Sequence, residues 1–425
     1  MSAGIAIGSM IALVLGGVPI AFALGLAGVL VLLIQGTVPL AIVPVAMFDG
    51  ANSFPYIAIP LFMVAGELMN HCDLSRRLIA FASSLVGFIA GGLAHVTVVT
   101  SMFFAEISGS AVADAAALGS ILIPEMHRKG YNKAFATALV SCASTMAILI
   151  PPSIPMILYA VIAGESVNKM LMAGMFPGIL VGITLMMFSY VIAKKEKYPV
   201  EQNFSLKEVW RTFKEAFWAL MVPAIILGGI LFGIFTATEA AAVAVVVAFL
   251  IGTVIYRKLN LSVLPSVLLS AAKQTSVVML LISASALLGW YLTNDQIPQK
   301  LASAFLSISN NKWLVLAMLN VFFLIVGMFL HSTAAIIMLV PLLMPLVKQV
   351  GIDPIHFGAV LTMNLGIGQQ TPPVASVLIT TCAIAKMSIQ QVFRYLRWFI
   401  LALLIVLAIV TYIPDISLTL PRLIK

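Results

Sequence analysis

The sequence predicts an all-helical polytopic membrane protein made of two diverged repeats that insert with opposite orientation. Three observations carry this. The chain is 62% hydrophobic and only 9% charged over 425 residues, with mean hydropathy +1.14, whereas a soluble domain averages about 25% charged. Its apolar runs are long and unbroken, as in spanning helices, and lack the short alternating strands of a membrane barrel. Two of these runs are interrupted at matching places by a double proline: Pro151-Pro152 and Pro372-Pro373 lie 221 residues apart (372 − 151).

The later interruption, Asn364 to Val374, reads N-L-G-I-G-Q-Q-T-P-P-V; the earlier one, Thr145 to Pro155, reads T-M-A-I-L-I-P-P-S-I-P. Proline has no N–H to donate and clashes with the preceding turn, so a continuous helix is not expected through either. Irregular backbone at membrane depth is tolerated only where protein buries it or where it lines a cavity. One such break alone reads as a kinked packing helix. The second copy argues against that, and the 221-residue offset also pairs Gly130 with Gly351 and Pro124 with Pro345. Interrupted spans at corresponding positions of two halves point to the binding site of a secondary transporter.

Taken in order, Ile5 to Ile34 is apolar for 30 residues, roughly 45 Å as one helix against a hydrocarbon core of about 30 Å, so Pro19 is expected to divide it into two passes. The absence of a basic residue before Arg76 marks this first segment as a retained span and not a signal peptide. Ser53 to Met69 follows as a span, and Leu78 to Phe88 as an amphipathic stretch suited to the interface. His95 to Met126 carries Glu106, Ser108-Gly109-Ser110 and Asp114 between apolar flanks. This is too polar for a lipid-facing helix centre and is read as a re-entrant hairpin with its tip at 108–110. The small residues alone also suit a close helix contact. His127 to Lys133 and 194–215, the latter with six Lys or Arg and four Glu, are read as cytoplasmic. Two passes, 134–163 and 170–193, connect them.

The second half repeats the plan. Spans are expected at 219–235, 238–256 and 274–292, an amphipathic stretch at 298–309, and a second hairpin over 314–347 with its tip at His331-Ser332-Thr333. The broken helix and a last span over 396–413 follow. The division is therefore 1–193 for the first repeat (1–92 mainly scaffold, 93–164 hairpin and broken helix), 194–215 for a linker that includes an amphipathic helix around Trp210, Phe213 and Phe217, and 216–425 for the second repeat, with its hairpin and broken helix over 312–386. Both termini face away from the cytoplasm.

Other chemistry finds little support. Cys72, Cys142 and Cys382 form no C-x-x-C pair and suggest neither a disulfide framework nor a metal site. There is no phosphate-binding loop, dinucleotide fingerprint, zinc-protease motif or nucleophile elbow, so the chain is not read as an enzyme. The net charge of +8 reflects basic cytoplasmic loops, not a nucleic-acid surface. An ion or solute channel is the alternative to a carrier, but paired hairpins and broken helices favour alternating access over a fixed pore.

The chain resembles the large membrane subunit of tripartite ATP-independent periplasmic (TRAP) transporters along essentially its whole length. The resemblance rests on Ile107 to Met126 (I-S-G-S-A-V-A-D-A-A-A-L-G-S-I-L-I-P-E-M), Ile150 to Pro155, Thr236 to Ala242 (T-A-T-E-A-A-A) and Asn364 to Val374. It implies a small membrane subunit packed beside this one in a bacterial inner membrane, and a soluble periplasmic protein that delivers the substrate. It also implies uptake driven by a sodium gradient and an elevator motion of a transport domain against a scaffold. The sialic acid branch is the nearest impression, with C4-dicarboxylates next. One departure is visible: the second hairpin tip often carries an aspartate in this family, where this chain has His331.

With sodium as the coupling ion, two sites are expected where a hairpin tip meets a break. The first joins Ser108, Gly109 and Ser110 to Thr145 and Pro152. The second joins Ser332 and Thr333 to Gly366, Gly368 and Thr371. Freed carbonyls and hydroxyls supply the hard neutral oxygens such an ion prefers. An acidic substrate is expected between the two ions, against Ser110, Ser153, Asn364 and Gln369.

Overall fold

The computed structural model describes residues 2–36, 38–72, 74–260 and 262–424, with the side chains of residues 2–4, 7, 15 and 108 outside that description. Among the described residues every regular element is helical. Seven helices among these residues are long and apolar enough to cross a bilayer, or eight if the bent pair Ile42–Ala51 and Phe54–Asn70, meeting at 65°, makes one span. Large apolar side chains such as Phe22, Leu33, Val321 and Phe329 face outward, on the surface that lipid covers.

Pro19 divides the first apolar run as expected, into Ser2–Leu15 and Ile20–Gln35. The next element starts earlier than its hydropathy suggested. A helix begins at Ile42, turns at Asn52-Ser53, and Pro55 opens the following segment, where its missing N–H costs nothing. After the amphipathic helix Leu74–Val86 comes the first hairpin, Gly92–Ser108 and Ala111–Arg128. Its turn is made by Gly109, whose φ of 60° is disfavoured for any residue with a Cβ. The second hairpin is Lys312–Phe329 and Ser332–Gln349.

Both broken helices have the same construction. The first runs Lys133–Ala143, tightens to a 3-10 turn over Ser144–Ile148, passes Pro151-Pro152 and resumes as Ile154–Ala163. The second runs Pro354–Gly368, passes Pro372-Pro373 and resumes as Ser376–Ala385. Both Pro-Pro bonds are cis. The opening caps also correspond: Asn132 Oδ1 accepts from the Ala134 amide at 2.9 Å, and Asp353 Oδ1 from the Ile355 and His356 amides at 2.8 and 3.0 Å, satisfying amides that have no partner within the helix.

Elsewhere the structure differs from the expected boundaries. Helix Met175–Glu196 extends into the 194–215 segment, and Leu206–Leu231 is one continuous 26-residue helix. Trp210, Phe213 and Phe217 therefore belong to a span and not to a separate amphipathic helix, and only 197–205 is non-helical. Hydropathy locates the apolar part of a span, while the hydrogen-bonded helix continues into polar sequence that contains no breaker. The short segment 197–205 is strapped to the base of the first hairpin. The Glu201 amide donates to the Gly87 carbonyl at 2.9 Å, Tyr131 Oη donates to the Pro199 carbonyl at 3.2 Å, and Lys129 pairs with Glu201 at 3.1 Å. The chain ends with Ile389–Tyr412 and a further helix, Asp415–Leu423, beyond the last predicted span.

The halves interleave. Helix Ala237–Leu250 lies along Ala58–Asn70, and Leu264–Asn294 lies against Ile20–Gln35 and Ile42–Ala51. A Cβ on Gly50 would sit 2.0 Å from the Ala286 Cβ, so that crossing is closed to any larger residue.

Candidate functional site

The two hairpin tips meet at one cavity of about 240 Å³. The first tip contributes Gly109, Ser110 and Ala111, the second His331, Ser332 and Thr333, and the first break Ile148, Ile154 and Pro155. The remaining wall is Met63, Gln274, Val277 and Val278 from Ala58–Asn70 and Leu264–Asn294. No Asp, Glu, Lys or Arg is among these lining residues. Glu67 stands one step behind, its Oε1 accepting from Gln274 Nε2 at 2.6 Å.

The first tip packs directly on the first break, since a Cβ on Gly109 would lie 2.5 Å from the Pro152 carbonyl oxygen. Gly109, Ser110 and Pro152 thus come together as expected, while the Ser108 side chain lies outside the described residues. Ser110 caps the following helix: its Oγ accepts from the Ala113 amide at 3.5 Å, and its carbonyl accepts from the Asp114 amide at 3.0 Å. Asp114 is buried in the first turn of that helix, where the helix N-terminus favours a carboxylate. Glu106 is half-buried on the preceding arm.

The second tip is built differently. Ser332 and Thr333 are both buried and line the cavity. Their helix is capped by no side chain, has no acid in its first turn, and makes its first intrahelical bond from the Ala335 amide to the His331 carbonyl at 3.1 Å. Among the described residues Ser332 Oγ has no hydrogen-bond partner.

The remaining expected ligands divide. Gly368 belongs with the second hairpin, a Cβ there falling 2.4 Å from the Gly327 backbone. Thr371 Oγ1 donates to the Ile367 carbonyl at 2.9 Å. Gly366 faces the other way: a Cβ on it would meet Thr145 Cγ2 at 2.7 Å and Ile148 Cδ1 at 2.5 Å. Gly366 and Thr145, placed in separate sites by the sequence, are therefore neighbours across the two breaks. Ser153 is used within its own break, where its Oγ donates to the Ile148 carbonyl at 2.7 Å and accepts from the Met156 amide at 3.4 Å. Asn364 Nδ2 donates to Asn320 Oδ1 at 2.8 Å and to the Val360 carbonyl at 2.9 Å, leaving Oδ1 without a partner. Gln369 is buried, with Oε1 accepting from Ser376 Oγ at 3.5 Å and Nε2 without a partner. Of the four side chains expected against substrate, Ser110 alone lines the cavity.

Three residues at this centre were not singled out from the sequence. Gln370 ties the breaks together: its Nε2 donates to Thr145 Oγ1 at 3.1 Å and its Oε1 accepts a hydrogen bond from Ser141. The Q-Q pair flagged the position, and which glutamine points across follows from how the helix ends. Gln274 and Met63 sit in unremarkable apolar spans and carried no signal of their own.

A family profile described as "Tripartite ATP-independent periplasmic transporter, DctM component" matches residues 7–416. The chain belongs to the DctM family of TRAP transporter components. An isethionate TRAP transporter permease, DctMQ, of Oleidesulfovibrio alaskensis is 41% identical over 94% of this chain and 63% of its own length. A C4-dicarboxylate large permease of Pseudomonas aeruginosa is 41% identical over 94% and 93%. A sialic acid large permease of Vibrio cholerae is 37% identical over 97% and 96%. The chain thus spans under two thirds of the DctMQ relative and nearly the full length of the other two. Among solved structures, the YdaH transporter of Alcanivorax borkumensis superposes with a TM-score of 0.63 over 86% of each chain at 13% identity, a likeness of fold. These findings bear out the all-helical membrane architecture and the resemblance noted above.

Proposed function

We propose that this DctM-family chain is the large permease of a sodium-coupled uptake system for a small organic acid, working by an elevator motion. The observation that carries the proposal is the shared cavity. Two hairpin tips and a broken helix form three of its sides, and helices Ala58–Asn70 and Leu264–Asn294 form the fourth. Movement of the hairpin and broken-helix body along that fourth wall would expose the cavity to one side and then the other, and the paired repeats supply the two related states. The relatives' names supply the substrate class, spanning isethionate, C4-dicarboxylate and sialic acid. The cavity volume, about 240 Å³, lies below the roughly 300–1,000 Å³ usual for ligand pockets. A compact acid fits it as it stands, and a nine-carbon sugar acid requires it to open.

Sodium is proposed at the two places where tips and breaks supply carbonyl and hydroxyl oxygens, Gly109–Ser110 with Pro152 and Thr333 with Gly368 and Thr371, which leaves the Ser332 hydroxyl to the substrate. Gly366 is reassigned to the packing between the breaks. A small membrane subunit and a periplasmic binding protein complete the machine in a bacterial inner membrane, with 127–133 and 197–205 on the cytoplasmic side.

The test is uptake in proteoliposomes containing all three components, with isethionate, succinate and N-acetylneuraminate offered separately. Sodium-dependent accumulation of one acid above its outside level, and little uptake by this chain alone, is expected. Downhill flux of several solutes without a sodium requirement would support a channel and reject the proposal. Labelling of a cysteine at position 203 from the periplasmic side of intact cells would reject the orientation.

A further inference from the structure

We infer that the acid group of the substrate is held at the second hairpin tip, by the uncapped N-terminus of Ser332–Gln349 and the Ser332 hydroxyl, with His331 as the specificity-determining side chain beside it. This rests on the uptake reading above and deepens it by assigning the charged end of the substrate to one of two candidate tips.

The inference comes from an asymmetry between positions that the repeat makes equivalent. Ser110 and His331 are 221 residues apart (331 − 110), the same offset as the two Pro-Pro pairs, and each is the N-cap of the helix that leaves its hairpin tip. A helix begins with amides that find no partner within it and carries a partial positive charge at that end. At the first tip both features are answered inside the protein. Ser110 Oγ accepts from the Ala113 amide, and Asp114 supplies a carboxylate in the first turn. At the second tip neither answer exists. No side chain caps the helix and no acid stands in its first turn. The amides of Ser332, Thr333 and Ala334 precede its first intrahelical bond.

A second, independent observation points the same way. Ser332 is fully buried, lines the cavity and leaves its Oγ without a partner. A buried hydroxyl left unpaired is costly and is ordinarily satisfied by something. Among the described residues that line the cavity there is no acidic side chain to supply the missing negative charge. A carboxylate or sulfonate entering it supplies both the charge and the acceptor oxygens. His331 lines the same cavity, and an imidazole N–H can donate to an anion. The first tip, already compensated, is left to face the neutral part of the substrate.

Two measurements on the complete three-component transporter test this. In uptake assays with whichever of isethionate, succinate or N-acetylneuraminate the wild type accumulates, Ser332→Ala removes one hydrogen bond to a charged group and should raise KM about tenfold. His331→Asp places a carboxylate on the open helix end and should raise KM at least as much, by about tenfold to thirtyfold. Both effects should exceed that of Ser110→Ala. Wild-type inactivity toward every acid would sink the uptake reading and this inference with it. An active wild type in which Ser110→Ala is the more damaging change, or in which His331→Asp is harmless, would overturn the subsite alone.

The second measurement needs no transport and covers variants that fold but do not turn over. In His331→Cys with the native cysteines replaced, a negatively charged methanethiosulfonate reagent should react faster than a positively charged one of similar size, and the accumulated acid should slow it. Faster reaction with the cationic reagent would overturn the assignment.

Discussion

The two broken helices were built to one plan and are now used differently. In the first, every residue from Ile150 to Ser153 is buried, and Ser153 bonds both the carbonyl before the break and the amide after it. In the second, Pro373 and Val374 are exposed. The turn is completed there by Ala375 at φ 49°, its amide 3.4 Å from the Met328 carbonyl. The hairpin tips follow suit. Gly109 is pressed on the first break, whereas its counterpart 221 residues on, Leu330, is an ordinary extended residue at φ −109°. One joint is closed and internally satisfied; the other keeps open valences. The repeat supplies the geometry twice, and the two copies differ in which of their polar groups are satisfied internally.

The sharpest way to break this comparison is at the tips. Gly109→Ala adds a Cβ 2.5 Å from a backbone oxygen at a left-handed residue, and should destabilise by about 2–4 kcal/mol from crowding and strain together. Leu330→Ala, at a half-buried site, should cost clearly less, about 1–2 kcal/mol. Unfolding midpoints in detergent read both, and equal losses would mean that the tips are not differently built.

The bridge between the breaks comes next. Gln370→Leu leaves the Ser141 and Thr145 hydroxyls short of a partner, at a cost of about 1–3 kcal/mol. A double-mutant cycle with Thr145→Val should show a coupling of at least about 0.5 kcal/mol, and simple additivity would show that the two breaks move independently. Thr371→Val, which removes one oxygen at nearly constant volume beside the open joint, should raise the sodium concentration for half-maximal uptake about threefold to tenfold. Ser110→Ala probes the closed joint in the same assay, and unchanged sodium dependence in both variants would place the ions elsewhere. The smallest effect is expected from Ala375→Gly. Relief of the left-handed strain outweighs the added freedom of the unfolded chain by under about 1 kcal/mol, a slight gain in midpoint; a loss would show that the methyl group is needed for packing.

Much of this is legible in the sequence alone. Double prolines must interrupt a helix, and Ser108-Gly109-Ser110 in an apolar run must turn somewhere protected, so hairpins and breaks were placed nearly to the residue. What escaped depends on contacts between the halves. Gly366 lies in the second break, and its packing against Thr145 and Ile148 of the first has no mark in the letters around it. Gln369 and Gln370 are indistinguishable as letters, and only the way the helix ends sends the second across to Ser141 and Thr145. The fourth wall gave no sign because Met63 and Gln274 come to line the cavity only through the neighbours that packing brings to them. Boundaries erred where helices outrun hydropathy, as at Leu206–Leu231.

The nesting of Leu264–Asn294 against Ile20–Gln35 and Ile42–Ala51 has a consequence for biogenesis. The seat at Gly50 is complete long before Ala286, which fills it, has been translated. At about 5–20 residues per second, the early helices wait on the order of ten to fifty seconds with a groove matched to a partner not yet synthesised. During that interval the first repeat cannot reach its final packing, however well formed its hairpin is.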